Sequence, residues 1–288
     1  MKTRLSLLLC LFLCFEGFQS FRTNTTVHTS SGMTCKEVVM KMIKAINDVD
    51  RLKYNLKITE RTNGKFNHFS SSVKLNKVPR KLYLSTNGIE VLWVQGVNKG
   101  NALVKPNSFP YVNLNLDPMG NLMRDGQHHT INEMGFDYFG TIIVYNVLKA
   151  GPEFDKFFKL DGEEALNGKM CYKFTIDNPD FKFLDYTVGK GETVVTIAKK
   201  LHVAEQMILE NNKKVSGYKD VKVGQVIKVP NSYAKHVVIY LDKQNFLPVG
   251  SRIYDNDGLF EQYDYSNLVL NPTFEDAEFT KNYPGYGF

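Results

Sequence analysis

The residues best able to do chemistry crowd into "RDGQHHTINE", which holds Arg124, Asp125, His128, His129 and Glu133. Imidazoles and carboxylates at this density can bind a metal or move protons. The spacing argues against a metal, because adjacent histidines lack the i, i+4 offset that puts two ligands on one helix face, and no third ligand is specified. A thiol nucleophile would need a cysteine and a histidine converging in one rigid site. Cys171 falls in a strand pattern and His202 in a different segment, so no such pair is indicated. The acids Glu163, Glu164, Asp255 and Asp257 sit beside turn residues, where solvated carboxylates are ordinary, and the lone Trp93 alternates within a strand like a core residue. These residues point to no catalytic group, no metal and no cofactor, and "RDGQHHTINE" is expected to be a solvated loop or a set of structural hydrogen bonds.

The elements around these residues fall into two systems. Thr34 can cap an amphipathic helix reaching about Val49, with Cys35, Val39, Met42, Ile43 and Ile46 on one face. Short runs of period two follow: "RLKYNLKIT", "SSVKLN", "RKLYLST", "EVLWVQ", "NALVKP" and "YVNLNLD", parted by turn residues such as "TNGK" and "NKGN". "INEMGFDYFGTIIVYNVLKAG" breaks the alternation and reads as helical cover closed at Gly151-Pro152. Two strands within Lys156 to Asp177 and three within Lys235 to Asn271 complete an antiparallel series. The fold class expected is α+β: a curled antiparallel sheet, or partly open β-barrel, with helices covering one face. Such a sheet either encloses an apolar ligand cavity or is filled by its own helices.

Between the last two groups of strands lies a self-contained unit. Tyr186-Thr-Val188 is a short strand, Gly189-Lys-Gly191 turns it, and Thr193 caps a helix with Val194, Ile197, Ala198 and Leu201 at helical spacing. A second short helix covers Glu205 to Glu210, and "VKVGQVIKVP" closes the unit as a strand.

Composition bounds the rest. With 288 residues, 43% hydrophobic and 12% aromatic, the chain can bury a large core. The net charge of +6 is spread among acids without a polybasic run or an acidic tail, which gives no reason to expect a nucleic-acid partner. Met1 to Arg4 is basic and "LSLLLCLFLCF", Leu5 to Phe15, is an apolar run of eleven residues, too short to span a bilayer and typical of a secretory signal over residues 1–20. The expected location is the periplasm or cell envelope, with no transmembrane segment in the mature chain. A lipid anchor at Cys14 is less favoured, because Leu13 precedes it where such signals use a small residue. With the signal removed two thiols remain, which permits one disulfide between Cys35 and Cys171 or leaves Cys35 as a core residue.

"YTVGKGETVVTIAKKLHVAEQMILENN…VKVGQVIKVP" resembles the LysM domain along its whole length. The resemblance implies a βααβ module over 185–231 that binds N-acetylglucosamine polymers, in bacteria chiefly peptidoglycan. Its groove would be lined by Gly191, Glu192, Thr193 and Val194 on one side and Ile208, Leu209, Glu210 and Asn211 on the other. Glu192 stands where Asp is usual, Val195 where an aromatic is frequent, and Ala204 where Ser or Thr caps the second helix. The flanking residues 33–184 and 232–288, with "VVIYLDKQNFLPVGSRIYDNDGLFEQYDYSNLVLN", are similar to periplasmic lipoprotein-sorting carriers of the Lol type. "LNLDPMGNLMRDGQHHTI" and "NYPGYGF" are more narrowly similar to an uncharacterised bacterial envelope family related to those carriers. This implies a discontinuous host domain able to bind lipid or acyl chains. The function expected is that of a non-catalytic envelope protein binding peptidoglycan through LysM. The alternatives are a peptidoglycan-modifying hydrolase and a structural wall-associated scaffold with a filled core.

Overall fold

The computed structural model describes residues 32–288. The predicted signal segment, including Cys14, lies outside the described residues. Helix α1 (Cys35–Asn47) starts where the sequence marks it: Thr34 Oγ1 accepts the Glu37 amide at 3.2 Å, and Glu37 Oε2 accepts the Thr34 amide at 2.7 Å. That reciprocal box satisfies two donors that a helix start otherwise leaves open.

Six strands follow in sequence and in space: β1 (Arg51–Thr62), β2 (Lys65–Asn76), β3 (Lys81–Thr86), β4 (Ile89–Val94), β5 (Ala102–Lys105) and β6 (Leu114–Leu116). Strand β6 covers only the middle of the expected "YVNLNLD" run. Helices α2 (Asn121–Arg124), α3 (Asp137–Ala150) and α4 (Phe154–Phe157) precede β7 (Phe158–Leu166) and β8 (Lys169–Asp177). The module contributes β9 (Phe183–Thr187), α5 (Val194–Leu201), α6 (Glu205–Glu210) and β10 (Val226–Pro230), and the chain ends its strands with β11 (His236–Asp242), β12 (Pro248–Asp255) and β13 (Gly258–Leu270).

The large sheet runs β6-β5-β4-β3-β2-β1-β13-β12-β11-β8-β7, antiparallel throughout and not closed between β6 and β7. One face carries Leu52, Tyr54 and Leu56 of β1 at every second residue and shares a core with Val39, Met42 and Ile46 of α1 and Ile142 and Ile143 of α3. The two helices approach closely at Gly140, where an added Cβ would lie 3.1 Å from Ile46 Cγ2. Trp93 is partly buried against the same core.

The series is interrupted in sequence but continuous in space. His236 pairs with Asp177, and the Asn178 amide donates to Lys235 O at 2.8 Å, so β8 and β11 are neighbours across the module's insertion point. Strands β9 and β10 form their own two-stranded sheet, and Asn231 clamps their base through Lys182 N and Asp180 O. Cys35 and Cys171 are both free thiols, so the pairing entertained from sequence is not formed. Cys35 is half-buried on α1, and burial first, then the Asp155 charge, pushes its thiol up to about 12.

Residues 274–288 pack on the opposite face of β3 and β4. Tyr83 and Tyr286 stack with centroids 3.7 Å apart, with Leu92, Phe279 and Phe288 around them.

Candidate functional site

A cavity lies between α3 and the sheet, walled by Ile58, Phe139, Ile142, Ile143, Val237 and Ile253. Its volume is about 100 Å³. At one end the walls turn polar, and there the loop carrying His128 and His129 enters. Asp125 is exposed, but the loop is buried at Arg124, His128 and Thr130. His128 is buried, donating its amide to Glu60 Oε2 at 2.9 Å, with Nδ1 2.8 Å from Glu261 Oε1 and Nε2 2.9 Å from Arg61 O. Of the two expectations for "RDGQHHTINE", structural hydrogen bonds hold.

The network extends through tyrosines. His129 Nε2 lies 3.1 Å from the Tyr233 hydroxyl, which donates to Glu261, and the Tyr263 hydroxyl donates to Glu60 Oε1 at 2.6 Å. Thr130 and Glu133 hold the loop by a capping box, Glu133 Oε2 accepting the Thr130 amide at 2.8 Å. Burial alone would raise the Glu261 carboxyl, but the His129 charge and the His128 hydrogen bond outweigh it and hold it down to about 2. Burial would likewise lower His129, yet the Glu261 charge and the Glu133 hydrogen bond keep it well above the ordinary imidazole range. Chemically this is a set of mutually neutralised charges. Ser232 and Ser251 also line the cavity, 5% and 3% exposed, and Ser232 Oγ has no hydrogen-bond partner; no base activates it as a nucleophile. Among the described residues no group of three or more His, Cys, Asp or Glu side chains is placed to hold a metal ion.

Three of the other four acids singled out in the sequence are also partnered. Asp255 pairs with Arg61, Glu163 with Lys243, and Glu164 with Lys173. Sequence reasoning missed Glu60, Glu261, Tyr138, Ser232, Tyr233 and Tyr263 as cavity residues. The available signal was parity: Glu60 continues the inward register of Leu52, Tyr54, Leu56 and Ile58 on β1.

The module has its own core of Val188, Val194, Ile197, Ala198, Val203, Ile208, Ile227 and Val229. The LysM domain model matches residues 186–230. Residues 186–230 are a LysM domain. A second family model, described as protein of unknown function (DUF1571), matches residues 49–186. Among solved structures the chain is similar to the Pseudomonas aeruginosa MucA/MucB complex structure, with TM-score 0.39 and 10% identity over 85% of this chain and 60% of that one. It is similar to the Mycobacterium tuberculosis lipoprotein LppX, with TM-score 0.42 and 14% identity over 84% and 98%. A LolA superfamily protein from Nitrosomonas europaea gives TM-score 0.30 and 12% identity over 87% and 99%. The chain thus spans about 60% of the length of the first of these. No curated protein matches it.

Of the eight residues expected to line a groove in the LysM domain, Val194 and Ile208 share the domain core and are both 0% exposed. The side chains of these two face inward. Gly191 and Asn211 are exposed, with Gly191 at φ +76° in the turn. Thr193 is tied into a capping box with Thr196. Glu192 is occupied internally: it accepts the Gly189 amide at 2.8 Å and the Tyr186 hydroxyl, and pairs with Lys200. The Gly189 hydrogen bond first, then Tyr186 and Lys200, hold its carboxyl down to about 2. Leu209 is partly buried against the domain core, and Glu210 accepts the Asn63 amide of the β1–β2 turn at 2.7 Å, so the end of α6 touches the host.

The second LysM helix faces two ways. Ala204 and Met207 belong to the host core, and Ala204, Glu205 and Gln206 close over His128, His129 and Glu133. Glu205 pairs with buried Arg124, whose guanidinium lies 3.3 Å from the Tyr218 ring centroid. Ala204 has no side-chain oxygen with which to cap this helix; it is 3% exposed against the host, where a small apolar residue fits.

Proposed function

We propose that the chain is a non-catalytic cell-envelope protein that binds peptidoglycan, or another N-acetylglucosamine polymer, through its LysM domain and a lipid or acyl chain in the host cavity. The match of residues 186–230 to LysM carries the first part. An amide-rich turn at Gly191 and an exposed Asn211 suit acetamido and hydroxyl groups, and weak single contacts become useful on a polymer with many sites. The apolar walls of the cavity under α3 support the second part. In this reading residues 33–184 and 232–288 form one host domain, 185–231 the insert, and the location is the periplasm or envelope. Among the described residues no helix is long and apolar enough to cross a membrane.

The test is sedimentation of the full chain with purified peptidoglycan. Co-pelleting that soluble chitin oligomers compete away supports the reading, and a protein that stays in the supernatant removes wall binding. Release of soluble muropeptides in the same tubes would replace it with a hydrolase. A scaffold with a filled core predicts that no single-chain amphiphile is retained in native mass spectra.

A further inference from the structure

The host cavity is smaller than the ligand proposed for it. At about 100 Å³ it falls below the engineered cavity of about 150 Å³ that holds benzene, and pockets for drug-sized ligands run from roughly 300 to 1,000 Å³. We infer that α3 is a movable wall of this cavity and that the LysM domain latches it shut through the stack of His202 on Tyr145. The inference rests on the acyl-binding reading above and adds to it a regulator within the same chain.

Three observations carry it. First, the two halves of α3 are held by different parts of the chain. Its first turn is tied to the host, Asp137 pairing with Lys77 at 2.8 Å and Arg80 at 3.5 Å, and Gly140 sits close against Ile46 of α1. Its second half ends at Gly151, φ +50°, and meets the insert twice: the Tyr145 ring stacks on His202 with centroids 4.1 Å apart, and Lys149 Nζ donates to Asn231 O at 2.8 Å. Second, the helix has space to move into. Ile142, Ile143 and Asn146 line the cavity, while Val144, Tyr145 and Leu148 line a separate groove of about 520 Å³, bounded by Ile43 and Ile46 of α1 and by His202. A swing of the second half into that groove enlarges the cavity and breaks the stack. Third, His202 is rigidly placed. It caps α5 in the left-handed region, φ +53°, with its amide donating to Ala198 O, at a position where helices usually put glycine. A ring kept there gives the LysM domain a fixed point against α3. A contact made only in the closed state lowers the apparent affinity of the cavity's ligand by as much as it favours that state.

The experiment titrates palmitate, below its aggregation limit, into the full chain and into His202→Ala, Tyr145→Ala, the double variant and Tyr145→Phe, read by calorimetry. Neither residue lines the cavity, so an effect on binding must come through α3. Each single Ala variant should bind palmitate about threefold to tenfold tighter, the worth of one ring contact. The double should bind no tighter than the singles, because one contact is lost in all three, and Tyr145→Phe should match the parent. Hydrogen exchange in the Ala variants should quicken at Ile143 to Leu148 while β1 stays protected, which separates a released helix from a general loss of folding. Palmitate bound equally or more weakly by the Ala variants overturns the latch and leaves acyl binding in place. Faster exchange spread over the whole chain also overturns it, and binding by the Ala variants alone supports it. No palmitate bound by any of the proteins overturns the latch together with the acyl reading.

Discussion

Glu60 and Glu261 are direct cross-strand partners on β1 and β13, and both are buried. Two like charges so placed repel, and the fold resolves this with His128, which donates its amide to Glu60 and sets Nδ1 2.8 Å from Glu261. Replacing His128 with Ala keeps the backbone amide on Glu60 but takes the imidazole from buried Glu261, and should cost about 3–5 kcal/mol. Glu60→Gln in the His128→Ala background should recover part of that loss. Urea unfolding of the two singles and the double gives the coupling, and an additive cycle would show that His128 does not bridge the pair.

The same cluster sets a pH window. His129 and His128 have raised folded values, so their contribution is fully present below the unfolded value near 6.5 and fades as pH rises through the folded values. Glu261 is depressed, so its contribution is present above the unfolded value near 4.5 and is lost as pH falls toward about 2. Thermal stability should be greatest between those unfolded values and decline on both sides. His129→Gln should flatten the alkaline limb, as read from melting curves at constant ionic strength. An unchanged alkaline slope would assign the titration elsewhere.

The stack of Tyr83 on Tyr286 fastens the C-terminal segment to β3, with Lys74 paired to Glu278 beside it at 2.6 Å. Tyr286→Ala should destabilise the sheet by about 1–2 kcal/mol, counting ring burial and stacking. Tyr286→Phe should keep most of it. Equal losses for the two variants in denaturant midpoints would mean that the hydroxyl's bond to Glu278 O, not the stack, holds the segment.

Much of the architecture is readable from local pattern. Thr34 and Glu37 mark a helix start three residues apart, period two marks β1 to β4, and the βααβ unit is complete within one contiguous stretch. What escaped reading depends on distance in sequence. His128 looks like a loop residue until Glu60, Arg61 and Glu261 are placed around it, and 68 and 133 residues separate it from the two acids. Ala204 reads as a lost cap until the host core is seen to occupy its Cβ. Ser232 lies in a linker whose burial follows only from the pairing of β8 with β11.

Arg124 fixes the orientation of the LysM domain on the host. It is 3% exposed, pairs with Glu205 and stacks against Tyr218, so the domain's second helix is held from one side by charge and from the other by the Glu210 contact with Asn63. Arg124→Ala should cost about 3–5 kcal/mol by leaving Glu205 buried without a partner. Arg124→Met with Glu205→Gln should restore most of that stability while removing the charge pair. The double variant separates anchoring from folding: hydrogen exchange should quicken at Met207 to Asn211 while the LysM core at Ile197 and Ala198 stays protected. Unchanged exchange in that helix would mean that Ala204 and Met207, packed in the host core, hold the domain without the ion pair.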